Sequence, residues 1–351
     1  MTFTKQKLSD AQMGYAVSKA RVLGAERVIA ASEAEGPAVV FEGADMEPRV
    51  LAREPGGTMG FAAVPGRDDA LFIITGFYPV FQAETAGIHL YRASDGLTAP
   101  WQGERVIELP FVHRIASVAT PIGDYLIGAT VCGGKESRDD WSKPGAVYAY
   151  PVPAGLDGPW EAQTVLDGIH RNHGLALGRV DAVDSLLVSG SEGLFALALP
   201  GEEDASGKPV EPWRATKLLE HEVSEMGLVD FDGDGEDELA VIEPFHGDAF
   251  SVYKSRGGGW ERVYSAQLSF GHGLSVGTLA GVPVAVAGNR DGSKNLVCYR
   301  PGSDDAFAME QIVVDEGPAT AGTTIAATPQ GDGIVASNPE FAEYALYLAR
   351  P

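Results

Sequence analysis

The sequence predicts an all-β protein, a seven-bladed β-propeller closed by its N-terminal strand, and three observations support this. Seven times, a glycine-rich or histidine-containing start leads into two apolar runs, an aromatic-rich run and a last amphipathic run. The chain has 44 Gly, and Val, Ile, Tyr and Phe recur in short runs, which is typical of strands separated by turns. The seventh unit is one strand short, and residues 3–8 read as the missing strand, which would leave no sheet edge unpaired.

The β runs of the seven units follow one another along residues 1–351, which we treat as one propeller domain. In order, the predicted runs are Met13–Val17, Arg27–Ala31, Ala38–Glu42 and Pro48–Arg53; Gly57–Ala62, Leu71–Thr75, Ile88–Arg92 and Glu104–Leu109; His113–Ala116, Tyr125–Ala129, Ala146–Tyr150 and Glu161–Leu166; Asn172–Gly178, Ser185–Ser189, Gly193–Leu199 and Arg214–Leu219; Met226–Val229, Leu239–Ile242, Phe250–Lys254 and Glu261–Ala266; Gly271–Gly277, Pro283–Ala287, Asn295–Arg300 and Glu310–Val314; Thr320–Ala326, Gly333–Ala336 and Tyr344–Ala349. The first run of a blade lines the central channel, so blade starts and the loops between second and third strands share one face.

An acidic, glycine-broken loop joins the first two runs of the fifth unit. Its carboxylates, at loop positions 1, 3, 5 and 9, are Asp230, Asp232, Asp234 and Glu238. Oxygen ligands in a tight turn suit a hard cation, so we expect structural Ca²⁺ on the face opposite the blade starts. An EF-hand is excluded because β runs flank the loop and Val241 stands where the bidentate Glu belongs. A solvated acidic hairpin without an ion is the alternative.

This loop resembles the FG-GAP/VCBS repeat of β-propellers, whose signature DxDxDGxxDL follows a short apolar strand. Here the loop reads DFDGDGEDEL, with Glu238 in place of the last Asp. Only the fifth unit carries the strict motif, and the other units match the resemblance by pattern alone.

Composition and charge exclude several function classes. The formal net charge of −23 argues against nucleic acid or an anionic membrane as a partner. No apolar run approaches the roughly 18 residues that a membrane span needs. The first residues lack the apolar core of a signal peptide, and the two cysteines, Cys132 and Cys298, lie far apart. We therefore expect a cytoplasmic protein with reduced thiols.

Four histidines are predicted to meet at one mouth of the channel. His113, His173 and His272 stand at blade starts, and His246 lies in a loop between second and third strands. Imidazoles act as general acids and bases near neutral pH, and several together also bind a divalent metal such as Zn²⁺. We therefore predict catalysis by this set and a second divalent metal, Zn²⁺ or Mg²⁺, among these histidines. A turn or surface role for each single histidine is the alternative.

Other polar and aromatic residues are predicted at the same mouth. Tyr15, Tyr78 and Arg114 are expected to assist catalysis as acid–base partners or by stabilising an enolate. The residues expected to bind substrate are Arg290, Asn289, Asn172, Trp141 and Lys135. The chain contains no P-loop, Rossmann glycine pattern, nucleophile elbow or HExxH, which argues against nucleotide chemistry, hydride transfer and serine hydrolysis.

The motifs NHG at 172–174, GHG at 271–273 and EPFHGD at 243–248 resemble the propeller domain of aldos-2-ulose (1,5-anhydrofructose) dehydratases. The architecture is also similar to propeller polysaccharide lyases, including rhamnose–glucuronate and ulvan lyases. The resemblance implies a carbon–oxygen lyase that acts on a sugar or oligosaccharide by β-elimination, with a keto-sugar dehydratase favoured over a uronate lyase. The cupin domains of those dehydratases are absent from this sequence. A non-enzymatic carbohydrate- or protein-binding propeller, monomeric or homodimeric, is the alternative.

Overall fold

The computed structural model describes residues 1–53 and 55–351, which form 28 strands in seven four-stranded antiparallel sheets. In the first four blades the strands are β2 Gly14–Val22, β3 Ala25–Ser32, β4 Ala38–Glu42, β5 Glu47–Ala52; β6 Phe61–Ala63, β7 Ala70–Thr75, β8 Gly87–Arg92, β9 Gln102–Glu108; β10 Val112–Thr120, β11 Gly123–Thr130, β12 Gly145–Pro151, β13 Gln163–Ile169; β14 Gly174–Val180, β15 Val183–Gly190, β16 Gly193–Ala198, β17 Ala215–Leu219.

In the last three blades they are β18 Glu225–Val229, β19 Glu238–Glu243, β20 Ala249–Arg256, β21 Gly259–Gln267; β22 Gly271–Leu279, β23 Val282–Asn289, β24 Leu296–Arg300, β25 Glu310–Asp315; β26 Gly322–Thr328, β27 Gly331–Asn338, β28 Glu343–Arg350 and β1 Thr2–Asp10. A single 3₁₀ turn, Pro339–Phe341, interrupts the strands in the described part of the chain. The predicted seven-bladed β-propeller is confirmed.

The first strands of the blades form the innermost ring. β2, β6, β10, β14, β18, β22 and β26 each contact the next in this order, and β26 returns to β2. Because this ring is closed, side chains from every blade start point toward one central channel.

The N-terminal strand closes the last blade, as predicted. β1 pairs antiparallel with β28 from Thr2 opposite Arg350 to Asp10 opposite Glu343, which is longer than the predicted strand at 3–8. Lys5 on β1 holds Asp315 and Glu343, with its Nζ at 2.7 Å from each carboxylate. These two ion pairs connect β1 to the end of blade six and to β28.

Apolar side chains between neighbouring sheets form the core. The second strand of blade two is the apolar run ALFIIT, and all six of its residues are buried. Between blades five and six, the rings of Phe250 and Tyr299 stack at 4.1 Å. Burial on both sheet faces explains why the second strands read as continuous apolar runs and not as alternating ones.

One predicted run begins later than expected. The first strand of blade two starts at Phe61 and not at Gly57. Gly57 has a φ of +57°, and a Cβ there would lie 2.4 Å from the backbone nitrogen of Phe77, so this position needs glycine in a turn.

Among the described residues, no helix has the length and apolarity that crossing a membrane requires.

Candidate functional site

The four predicted histidines meet at one mouth of the channel. The ring centroids of His113 and His173 lie 4.6 Å apart, those of His173 and His246 4.9 Å, and those of His246 and His272 5.1 Å. These rings line a cavity of about 650 Å³, within the range of small-molecule sites. Their convergence from four blades, as the repeat pattern predicts, makes this mouth the candidate site.

β-Bulges aim several of these side chains. The pairing of β2 with β3 shifts register at Tyr15, and the pairing of β10 with β11 shifts at His113. A third shift follows His272, where Gly273 takes a φ of +64°. A bulge places two residues opposite one and re-aims their side chains, which explains how the adjacent His113 and Arg114 reach each other.

A chain of polar contacts fixes the tautomers around Tyr15. The Arg114 guanidinium, which can only donate, lies 2.9 Å from His113 Nδ1, so the His113 proton is on Nε2, 3.4 Å from the Tyr15 oxygen. His272 donates Nδ1–H to the carbonyl oxygen of Ala321 at 2.6 Å. Its Nε2 lone pair therefore faces the channel, 3.5 Å from Tyr15 Oη. Tyr15 accepts from one imidazole and donates to the other.

Glu225 joins three blades beneath the histidines. Its Oε1 accepts a hydrogen bond from Arg114 Nη2 at 3.0 Å, and its Oε2 accepts the backbone N–H of Leu274 at 2.8 Å. His173 Nδ1 lies 3.5 Å from Glu225 Oε1 and from the Ser224 hydroxyl. Because the Glu225 carboxylate can only accept, it favours the tautomer in which His173 carries its proton on Nδ1 and turns Nε2 toward the other imidazoles.

The donor set fits a divalent transition metal. The ligand atoms of His173, His246 and His272 all lie within 4.8 Å of one another, and His173 Nε2 is 3.3 Å from His246 Nε2. Two imidazole nitrogens on one tetrahedral Zn²⁺ are about 3.4 Å apart. Nδ1 contacts to a carboxylate and a carbonyl also match the outer shell of metal-bound histidines. Neutral nitrogen donors suit Zn²⁺ better than Mg²⁺, which takes oxygen ligands.

Burial keeps the four imidazoles neutral. It lowers the pKa of His272 to about 3 and that of His246 to about 2, and nearby positive charge adds to both effects. Burial likewise holds the pKa of His113 and His173 well below the usual value, with Arg114 adding to it. Burial raises the pKa of Tyr15, while the Arg114 charge opposes this rise. At pH 7 the cluster therefore offers lone pairs and not imidazolium protons.

One predicted catalytic residue, Tyr78, and one predicted substrate ligand, Arg290, lie on the cavity wall, and the other predicted substrate ligands lie outside its lining. Tyr78 and Arg290, from loops between second and third strands, line the cavity, and Tyr78 is 43% exposed. The Asn289 amide is taken up locally, since Oδ1 accepts the Ser269 N–H at 2.7 Å and Nδ2 donates to Asn295 O at 3.1 Å. Asn172 is fully buried. The cavity lining includes neither asparagine, so both take structural positions.

Trp141 and Lys135 contact each other outside the cavity lining. Lys135 Nζ lies 3.2 Å above the Trp141 ring and donates to the backbone oxygens of Arg138 and Asp140, both at 2.8 Å. Trp141 also packs edge to face on Phe81. One face of Trp141 is thus covered, and this loop supports the wall instead of presenting a free stacking platform.

The structure adds residues that sequence reasoning did not assign to the site. Glu33 follows β3 and lines the cavity together with Met59 and Phe270. Glu33 lies in a plain polar loop that carries no motif, although its place between second and third strands is the one that also holds His246. Loop position was therefore the one signal that could have identified Glu33.

The acidic loop of blade five already holds a side-chain cation. Lys254 Nζ, from β20, lies 2.8 Å from Asp232, 2.8 Å from Asp234 and 2.7 Å from Glu238. Asp230 accepts the backbone N–H groups of Gly233 and Gly235. The oxygens of Asp230, Asp232 and Asp234 cluster closely enough for one ion. The donor set fits Ca²⁺, but an ion must displace the ammonium, and structural calcium stays a prediction.

Comparisons with known proteins bear on the fold. No protein-family model matches this chain, and no curated protein matches its sequence. Among solved structures, a chain of a mitotic checkpoint complex is 12% identical, with a TM-score of 0.57 over 99% of this chain and 93% of that one. Two glucose dehydrogenase structures are 15% identical, with TM-scores of 0.50 and 0.52 over 99% of this chain and 100% and 99% of theirs. At these identities the likeness shows the fold alone.

Proposed function

We propose that this chain is a carbon–oxygen lyase that acts on a small sugar by β-elimination in the mouth cavity. The observation that carries the proposal is the convergence of the neutral imidazoles of His173, His246 and His272, whose ligand atoms lie within 4.8 Å of one another, beside the Tyr15 hydroxyl. A cation site next to a proton acceptor is what abstraction of a proton adjacent to a carbonyl requires. A keto-sugar dehydratase is favoured, and a uronate lyase comes next.

His173, His246 and His272 would hold a divalent ion such as Zn²⁺ through Nε2. When bound, that ion supplies a Lewis acid for the substrate carbonyl or carboxylate oxygen and adds positive charge beside Tyr15. Glu225 and the Ala321 carbonyl fix the tautomers of His173 and His272, so this chain presents its lone pairs without rearrangement.

Tyr15 is the base in this proposal. Its hydroxyl faces His272 Nε2 at 3.5 Å, an atom that would hold the ion, and its oxygen receives the His113 Nε2–H at 3.4 Å. The positive charge of Arg114 favours ionisation of Tyr15 against the effect of burial. The phenolate then takes the proton next to the substrate carbonyl, and Arg114 and His113 hold it in place.

The test combines metal analysis with an ultraviolet assay for the unsaturated product. Purified protein, before and after chelation, is assayed on 1,5-anhydrofructose and on a uronate oligosaccharide. We expect His173→Ala to lose the metal and at least 10³-fold of turnover. His221→Ala, which alters a half-exposed histidine paired with Glu243 outside the cavity, is the matched control.

Two results would contradict the proposal. If the protein binds either sugar but forms no product with any metal, the non-enzymatic binding propeller is the better description. If chelation leaves turnover intact, the histidines do not act through a metal.

A further inference from the structure

The proposed elimination needs a proton donor as well as a base. The departing oxygen must gain a proton as its bond to carbon breaks. In the proposed function, His173, His246 and His272 would hold the ion, Tyr15 is the base, and His113 donates its Nε2–H to Tyr15. The donor must therefore be another group on the cavity wall, and a carboxyl group is a stronger acid than the Tyr78 phenol that also lines it.

Two described carboxyl groups line the cavity, Glu33 and Asp291. Asp291 is exposed and its Oδ1 accepts the N–H of Gly292 at 2.8 Å, so it belongs to its own turn. Glu33 is partly buried, and its backbone N–H donates to the Met13 oxygen at 3.0 Å, which anchors this loop to the start of blade one. Glu33 is thus the half-buried carboxyl of the cavity wall, whereas the Asp291 carboxyl is exposed and bonded within its own turn.

The charged groups that face Glu33 come from several blades. Arg290 and Arg138 line the cavity beside it, and neither guanidinium forms an ion pair within residues 1–53 and 55–351. Burial raises the pKa of Glu33, and Arg290 and Arg138 oppose this rise without cancelling it. Glu33 therefore keeps its proton to a higher pH than an exposed carboxyl group does.

We propose that Glu33 is the general acid of the mouth cavity, an inference that rests on the proposed lyase function. Tyr15 takes the proton from the carbon next to the carbonyl, and the electron pair of that C–H bond forms the enolate. As the enolate collapses, the carbon–carbon double bond forms and the carbon–oxygen bond breaks. The leaving oxygen takes the Glu33 proton and departs as water or alcohol. Glu33 remains as a carboxylate and Tyr15 as a phenol, and proton exchange with solvent restores both.

The test compares Glu33→Gln with wild type on the sugar that turns over and on its analogue with fluoride at the leaving position. Fluoride departs without a full proton transfer, so we expect a loss of about 10² to 10³-fold on the natural leaving group and under about tenfold on fluoride. The turnover rate of the wild type should fall at high pH, and this fall should be absent in Glu33→Gln. Metal content should stay unchanged.

Two further variants keep the test decisive. Glu35→Gln, which alters an exposed carboxyl of the same loop outside the cavity lining, should behave as wild type, and Glu33→Asp should recover part of the rate because it keeps a carboxyl. Equal slowing on both leaving groups, or an unchanged high-pH limb in Glu33→Gln, would overturn the acid role while the lyase function stands. An inactive wild type would overturn both.

Discussion

Blade five contributes to both faces of the propeller, and the two sites treat charge in opposite ways. At one face, the carboxylates between β18 and β19 share the ammonium of Lys254 at 2.7–2.8 Å. At the other face, His246 follows β19 and turns Nε2 toward His173 Nε2 at 3.3 Å, with no opposite charge between them in the described part of the chain. The acidic loop is neutralised by Lys254 of the same blade, whereas at the mouth neutral imidazoles contact one another.

The comparison shows that a clear metal-binding motif in the sequence is not the same as a site that needs a metal ion. The acidic loop carries the clearest metal-binding pattern of the sequence, yet Lys254 already balances it. The histidines share no local motif because they come from different blades, and their neutral Nε2 atoms gain most from an ion. A ligand is thus expected first among the neutral imidazoles of the mouth, where an ion need not displace a charged side chain.

The largest expected effect tests whether the mouth is a reaction site. Tyr15→Phe removes the proposed base, and we expect turnover to fall about 10³-fold while metal content stays the same. Tyr253→Phe is the matched control, since that buried tyrosine bonds Glu243 outside the cavity, with Oη 3.0 Å from Oε1. Equal losses in the two variants would indicate a shared packing defect and would count against the role of Tyr15.

The prediction of intermediate size concerns the loss of folding stability at acidic pH. In chelated protein, burial lowers the pKa of His272 to about 3, whereas a histidine in an unfolded chain has a pKa near 6.5. Between these two pH values the unfolded state therefore binds more protons than the folded state. Stability is complete above pH 6.5 and falls as the pH drops, by about 2 kcal/mol at pH 5 for this imidazole. Urea unfolding from pH 7 to pH 5 measures it. In His272→Asn the slope should shrink, and an unchanged slope would contradict a buried neutral imidazole.

The smallest effect tests the acidic loop. Lys254→Met removes the internal ammonium, and we expect a loss of about 1 kcal/mol without calcium, because three carboxylates then repel one another. Millimolar Ca²⁺ should restore that loss and should raise the melting temperature of the variant more than that of wild type. Lys217→Met, which breaks the surface pair with Glu220, is the control. Calcium titration that shows no binding in either protein would end the calcium prediction.

The sequence was sufficient for the fold because the repeat is strong. Seven units with apolar runs of strand length predicted the seven sheets, and the strand at residues 3–8 predicted the closure by β1. The start of β6 was missed because the strain at Gly57 depends on the backbone of Phe77, which lies 20 residues later. Such close approaches leave no trace in local composition.

The site was predictable where blade position decides it. His113, His173, His246 and His272 met as expected because equivalent positions share one face of a propeller. The orientation of the side chains was not predictable, because the bulges at Tyr15 and His113 depend on strand pairing. The partner of the acidic loop depends on register, because Leu239 lies opposite Tyr253 and Lys254 therefore stands next to Glu238. The sequence alone does not fix that register.

The closure by β1 has a consequence for the order of events during synthesis. β1 leaves the ribosome before the other strands, but its partner β28 is made only after six complete blades. Thr2 therefore cannot pair until Arg350 has been synthesised. At cellular translation speeds this interval is on the order of tens of seconds. An unpaired strand is open to other chains for that time. Because Ala321 in the last blade orients His272, the mouth also takes its final form only once that blade has emerged and closed.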